Sequence, residues 1–384
     1  MKIIKAWTFW LIPVLLVALA VTPWIWWEIK PDQTLQVTIL DKTVANDSYR
    51  EHKGLVWLLN QQKYVKADGQ PYDYTKDYYG FFPQADGKYT TTELPEQMKG
   101  TDMIYLADTY GVEKAEYQGT NAGDEDSSAG TGDLSQGMLY GGLTDTDVQR
   151  IKAGVEGGGV KTLIAEFNSL ATPTKQSVRK QIYPLLGVEW TGWTGRYFSD
   201  LTRGGEVPAF LSGNGSDANQ WPYTGPGIVL VHEDGRVVVL QEGKQIGTEG
   251  VQTILTTQGK ALLGLNDTVR YNYWFDIMKP AAGTEVLATY DLGLTEDGRT
   301  KMQEAGIDGS FPAIIQQQHD SYVSYYFAGD YADHDQYPFW RRYEGWETVK
   351  RWFTFDRPNS EDAFYWHIYV PLMKAILAQT AGSK

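Results

Sequence analysis

Four acidic side chains stand where apolar stretches of the chain end. Asp41 follows LQVTIL, Asp108 follows MIYLA, Glu166 follows KTLIA, and Asp330 follows YVSYYFAG. Parallel strands bring their carboxyl ends to one rim, and ligands of open α/β sheets bind beyond that rim. A converging set of carboxylates suits acid–base work on glycosidic bonds, where one group is held protonated and another ionised. Glu166 with Asp108 or Asp330 is the pair such chemistry would use. The competing reading is local, because an Asp at a strand end also caps the next turn or helix.

Other polar side chains cluster near these ends. YREHKG puts Arg50, Glu51 and His52 in the first turn of a helix directly after a strand. Arg50 there suits a carboxylate or an acidic sugar, whereas Glu51 reads as a solvated partner of the helix dipole. His52 faces either the cleft or a neighbouring helix. With Asp41, Tyr110 and Asn168 they make the expected ligand-binding set. Trp193 and Arg196 join it from EWTGWTGRYFSDL, which reads as a glycine-punctuated loop whose aromatic faces stack on sugars. GDYADHD gathers Asp330, Asp333, His334 and Asp335, donors that suit hard metals. Their spacing matches no specific calcium loop, so neither a metal nor a cofactor is expected.

The whole chain narrows the classes. Its 384 residues contain no cysteine, which excludes disulfides, thiolate zinc sites and any thiol nucleophile, and suits an extracytoplasmic protein. A formal charge of −14 argues against nucleic acid as a partner, since phosphate binding needs clustered Lys and Arg. At the N-terminus, Lys2 and Lys5 precede an uncharged run from Ala6 to Trp27. That length spans a bilayer, the tryptophans at both ends resemble interfacial belts, and the lysines keep the N-terminus in the cytoplasm. Ala18-Leu19-Ala20 keeps a cleaved signal peptide as the rival. In both readings the main domain lies outside the cell membrane; in the favoured one a single-pass helix anchors it.

The elements that must position these side chains alternate. Strand Leu35–Leu40 leads to a helix with Asn46, Asp47 or Ser48 as its cap, ending near Asn60. Strand Met103–Asp108 precedes a Gly-, Ser- and Asp-rich acidic loop, 119–137, and a helix capped at Thr144. A third strand and a helix starting at Pro173 follow, giving the β-α-β-α-β-α order of a parallel sheet. Residues 186–300 read as a β-rich insertion, with a hairpin at Asp234-Gly235 and VRYNYWFDIM as one strand. Residues 301–384 return to the core with a hairpin at His319-Asp320 and two helices, about 338–353 and 361–380, the second bent at Pro371. The divisions are therefore 1–30, 31–185, 186–300 and 301–384.

This order resembles the class I glutamine amidotransferase-like superfamily over Leu35–Tyr183 and Phe311–Asp330. ILDKTV…YREHKGL, YLADTYGV, IAEFNSLATPT and YYFAGDYAD together resemble a family of uncharacterised membrane-anchored bacterial proteins with that fold. The resemblance implies a three-layer flavodoxin-like α/β sheet with the insertion, behind one transmembrane helix. It also implies a nucleophile elbow at Glu166-Phe167-Asn168-Ser169, where amidotransferases carry a cysteine that this chain lacks. Ser169 is a poor substitute, because Phe167 stands where a tight elbow wants a small residue. Two functions are expected from this. One is a non-catalytic binding or assembly protein acting on an envelope polysaccharide or a membrane partner. The other is a glycan-processing hydrolase using Glu166 with Asp108 or Asp330.

Overall fold

The computed structural model describes residues 2–382 apart from 118–136, 209–210, 212–220, 248–249, 334–341 and 358–359. The expected acidic loop, except Gly137, and the pair His334 and Asp335 thus lie outside the described residues. The uncharged N-terminal run folds as one helix, α1 (Lys2–Ile29). Its segment Leu11–Ile29, 19 residues with mean hydropathy 1.7, is long and apolar enough to cross a membrane and is almost wholly exposed.

Strand β1 (Val37–Asp41) is buried at every residue, as a strand covered on both faces must be. Helix α2 (Arg50–Gln61) follows. Its cap is Tyr49 in the left-handed region, φ 50°, with no side-chain cap bond, not one of the three expected polar residues. Asn46 instead accepts from Ser48 N, a local turn that competes with capping. Strands β2 (Tyr79–Pro83), β3 (Tyr89–Thr92) and β4 (Met103–Asp108) come next. Helix α3 (Asp145–Glu156) begins as expected at Thr144, in a reciprocal capping box with Asp147. After β5 (Thr162–Ala165), helix α4 (Gln176–Leu186) starts three residues later than expected. Pro173, behind a cis peptide bond, lies in the loop and not in the first turn.

The segment 186–300 is not one β-rich unit. Strands β6 (Val188–Phe198), β7 (Gly227–His232) and β8 (Val237–Gln241) form an antiparallel four-stranded sheet in the order β8-β7-β6-β11. Its fourth member, β11 (Phe275–Pro280), follows β9 (Gln252–Leu255), α5 (Thr257–Leu263) and β10 (Thr268–Arg270). VRYNYWFDIM therefore splits between two sheets. With β12 (Glu285–Asp291), α6 (Glu296–Glu304), β13 (Pro312–Gln318) and β14 (Val323–Phe327), the chain completes a ten-stranded mixed sheet ordered β10-β9-β12-β13-β14-β5-β4-β1-β2-β3. Its centre, from β14 to β2, is parallel. Antiparallel β13, from the closing segment, and β12, β9 and β10, from the supposed insertion, extend one side of it.

The chain ends on α7 (Trp346–Phe353) and α8 (Val370–Gly382). Just ahead of Pro371 the helix carries a π turn, Tyr365–Tyr369. Pro371 has no N–H to close an α-helical bond, and the wider turn absorbs the loss. Tyr369 is buried there, its hydroxyl 2.9 Å from that of Tyr105 of β4 and its ring 6.5 Å from Phe327 of β14.

Candidate functional site

The three parallel strands β1, β4 and β5 end side by side, so Asp41, Asp108 and Glu166 come to one rim as the sequence predicts. Asp41 accepts from Thr43 N at 2.9 Å, and its other oxygen is 2.5 Å from His52 Nδ1. His52 Nε2 donates to Tyr74 O at 2.7 Å, so the buried ring is gripped from both sides. Thr43 links the next carboxylate: its hydroxyl donates to Asp108 Oδ1 at 2.7 Å and accepts from Gly111 N at 3.0 Å. Asp108 also accepts from Tyr110 N at 2.6 Å and stands 3.5 Å from Asn168 Nδ2. The Tyr110 hydroxyl points away, donating to Glu113 at 2.7 Å.

Glu166 is fully buried. Its Oε2 accepts from Tyr331 N at 3.1 Å and Ala332 N at 3.2 Å, while Oε1 bonds the Tyr105 hydroxyl, itself 2.9 Å from the Tyr369 hydroxyl. The sequence reading puts this side chain at the cleft; the fold seals it against backbone that arrives from the far end of the chain. The turn after it also differs from an elbow built on Ser169. The left-handed residue is Asn168, φ 62°, and Asn tolerates that conformation best among residues with a side chain. Ser169 is buried, its hydroxyl 3.5 Å from Leu106 O.

Arg50, Asp330 and Asp333 close the group from the other side. Arg50 Nε donates to Glu51 Oε1 at 2.8 Å, and its Nη1 is 3.6 Å from Asp333 Oδ2. Glu51 is no solvated dipole partner: it is buried. Glu51, Asp330 and Asp333 each offer a carboxylate oxygen within 4.8 Å of the other two.

Burial dominates the electrostatics. It raises Glu51 to about 7 against the pull of Arg50, with Asp108 and Asp41 adding to the rise. It raises Asp108 to about 7 against the hydrogen bonds from Thr43 and Tyr110. Glu166 reaches about 8, its three hydrogen bonds only partly offsetting desolvation. Asp330 is pushed well above the carboxylate range by burial and then by Glu51, Asp333 and Glu166. Like charges in a dry site favour the neutral form of some members.

Trp193 does not join this group. EWTGWTGRYF is strand β6 and not a loop. Trp193 is buried on it, lining a separate cavity of about 410 Å³ with His232, Arg236, Met278 and Ile307. Arg196 lies on the same strand, its guanidinium 4.8 Å from the Tyr273 ring, and Tyr273 feels Arg50, Asp333, Arg196 and Asp330. Arg196 therefore borders the carboxylates through Tyr273, and lines a cavity of about 130 Å³ with Arg270 and Arg357.

Sequence reasoning missed Lys42, Thr43 and Asp276. Lys42 is buried, 2.6 Å from Asp147 Oδ2 and 2.9 Å from Gly142 O. Asp276, raised to about 6 by burial, bonds Tyr326 at 2.6 Å and Thr194 at 3.1 Å. A lysine inside the DKT run after an apolar strand is the one available signal, since a buried cation needs a buried anion.

No family model matches the chain, and no curated protein matches it. Solved structures similar to it include a carbohydrate deacetylase, at 12% identity and TM-score 0.33, over 78% of this chain and 30% of that one. A cytoplasmic protein from Salmonella typhimurium LT2 matches at 10% identity and TM-score 0.41, over 90% of this chain and 99% of that one. A ThuA-like protein from Bacteroides uniformis ATCC 8492 matches at 8% identity and TM-score 0.37, over 86% and 96%. The chain thus spans less than a third of the deacetylase's length.

Proposed function

We propose that the chain is a single-pass, membrane-anchored binding or assembly protein without catalytic activity. Its extracytoplasmic domain would be a three-layer, flavodoxin-like core of the amidotransferase-like type, holding an envelope polysaccharide or a membrane protein partner. The observation that carries this reading is the turn after β5. Asn168, not a nucleophile, holds the left-handed position, Ser169 turns inward, and Glu166 is bonded on both oxygens to the chain itself. The orientation rests on Lys2 and Lys5 ahead of the apolar helix.

A hydrolase is the second reading, and a specific observation keeps it. Asp108 and Asp330 are both held toward the protonated form in one buried group, as an acid catalyst requires. Glu166 would then be a positioning residue only.

The anchor and its orientation are tested in cells with Lys76→Cys, an exposed site in a chain without other cysteines. A membrane-impermeant maleimide should label it on the intact, membrane-bound protein. Labelling only after lysis, or recovery of the protein in the soluble fraction, would refute this reading. Retention of the full chain on envelope polysaccharide from its own host tests the ligand; no retention would leave protein partners as the class to pursue.

A further inference from the structure

We propose that Glu51, Asp330 and Asp333 form a site for a hard divalent cation, with calcium the best match. Their three oxygens lie within 4.8 Å of one another. Calcium–oxygen bonds of about 2.3–2.6 Å set ligands on opposite sides of the ion roughly 5 Å apart. One ion therefore fits between them without rebuilding the backbone. The second observation is Glu51 itself. It is 2% exposed, Arg50 takes its Oε1, and among the described residues nothing bonds its buried Oε2. A buried carboxylate oxygen left without a partner is costly, and a cation would satisfy it.

Charge points the same way. Glu51 and Asp333 both lie against the Arg50 guanidinium, whose closest approach to Asp333 is 3.6 Å. Asp41 and Asp108 also act on Glu51, and Glu166 acts on Asp330. A divalent ion would take the place of the protons these crowded carboxyls otherwise hold. All-oxygen donors select calcium, magnesium or manganese over zinc, and a site of three carboxylates completed by water suits calcium's flexible shell better than magnesium's near-ideal octahedron. Three protein ligands, with water completing the shell, place the affinity with extracellular modules, about 10⁻⁴–10⁻³ M.

The test titrates calcium or magnesium, up to about 10 mM, into the full chain in detergent micelles, by calorimetry and by unfolding midpoint. Calcium should bind and raise the midpoint, more strongly than magnesium. Asp333→Asn, at the edge of the group, should weaken binding at least about tenfold, as losing one charged ligand does; Glu51→Gln should do the same. Absence of binding heat and of a midpoint change would overturn the site, leaving protons alone to neutralise the carboxyls. Binding unchanged in both variants would overturn it too, by placing the ion elsewhere.

A separate surface supports a second proposal. Val349, Trp352 and Phe353 form one stripe of α7 at i, i+3, i+4 spacing, and Trp352, Phe353 and nearby Phe355 are 70%, 72% and 67% exposed. The opposite side is fixed to the domain, where Glu347 bonds Gln61 and Lys374. Just before α7, Glu344 N donates to Pro23 O at 3.2 Å, and the Glu344 carboxylate pairs with Lys30 at 3.2 Å. Pro23 lies six residues inside the end of α1, about 9 Å at 1.5 Å per residue. Exposed Trp24 and Trp26 of α1 lie at that level.

We infer that α7 rests its aromatic stripe in the interface of the bilayer that α1 crosses. This rests on α1 being an anchor. The full chain carrying Phe353→Cys, labelled with a polarity-sensitive fluorophore, would be placed in lipid nanodiscs, with Lys76→Cys as control. Spin-labelled lipid should quench the label at 353 several-fold more than at 76. Equal quenching by aqueous iodide at both, with the chain in the disc, would overturn the stripe's role alone. Elution of the chain apart from the disc would overturn the anchor as well.

Discussion

Replacing Glu166 with Gln tests whether this carboxyl is a structural group that keeps its proton. Glu166 is raised from 4.5 to about 8, chiefly by burial. The folded chain therefore holds a proton that the unfolded chain releases across that range. The resulting stability is full below the ordinary carboxylate value and is lost as pH rises through about 8. At about 1.4 kcal/mol per tenfold, a rise of this size is worth roughly 5 kcal/mol. Gln copies the neutral acid: its oxygen accepts from Tyr331 and Ala332 N–H, and its amide donates to Tyr105. One amide hydrogen is left over, at a cost of about 1 kcal/mol. Denaturant unfolding of the full chain in micelles, between about pH 6 and 9, reads both terms. Glu166→Gln should flatten the pH dependence by close to one proton and exceed the parent by about 1 kcal/mol at pH 6, a margin that grows to about 3 kcal/mol by pH 8. Glu166→Ala should be less stable than Glu166→Gln by about 2–5 kcal/mol at every pH, because two buried N–H groups lose their acceptor. Equal pH slopes for parent and Gln variant, or equal stabilities of the Gln and Ala variants near pH 6, would refute the assignment.

Lys42→Met should destabilise by about 3–5 kcal/mol in the same assay, since Asp147 is left buried without its cation. At Asn168, Gly should be tolerated and Val should cost about 1–2 kcal/mol or more, because φ is 62° and a β-branched side chain resists that region. Gly80→Ala should prevent stable folding, read as loss of a cooperative transition, because an added Cβ would lie 1.7 Å from Asp41 O at φ 132°. Ser169→Ala should leave any polysaccharide binding or turnover unchanged, since the hydroxyl faces Leu106 O; loss of either would restore Ser169 as a functional group.

The rim of carboxylates was legible because central parallel strands are buried on both faces and read as unbroken apolar runs. The polar residue that stops each run then marks the strand end, as at Asp41 and Asp108. Thr144 was legible for a local reason, its capping box with Asp147. The failures came from contacts distant in sequence. Gly192 and Gly195 made β6 look like a loop, yet Gly192, φ 88°, sits where the register with β11 shifts. A Cβ on Gly195 would meet Leu230 at 2.5 Å and Phe275 at 2.7 Å, so that glycine marks close packing. Glu166 misled for the same reason. What seals it is backbone 165 and 166 residues away, and nothing near KTLIAEFN announces that.

The most direct measurement incubates the full chain with its host's envelope polysaccharide and counts new reducing ends, beside Asp108→Asn and Asp330→Asn. A binding protein yields retention on the polymer and no new ends from any of the three. New ends from the parent that vanish in either variant would contradict the non-catalytic reading and make the buried carboxylates a hydrolase centre.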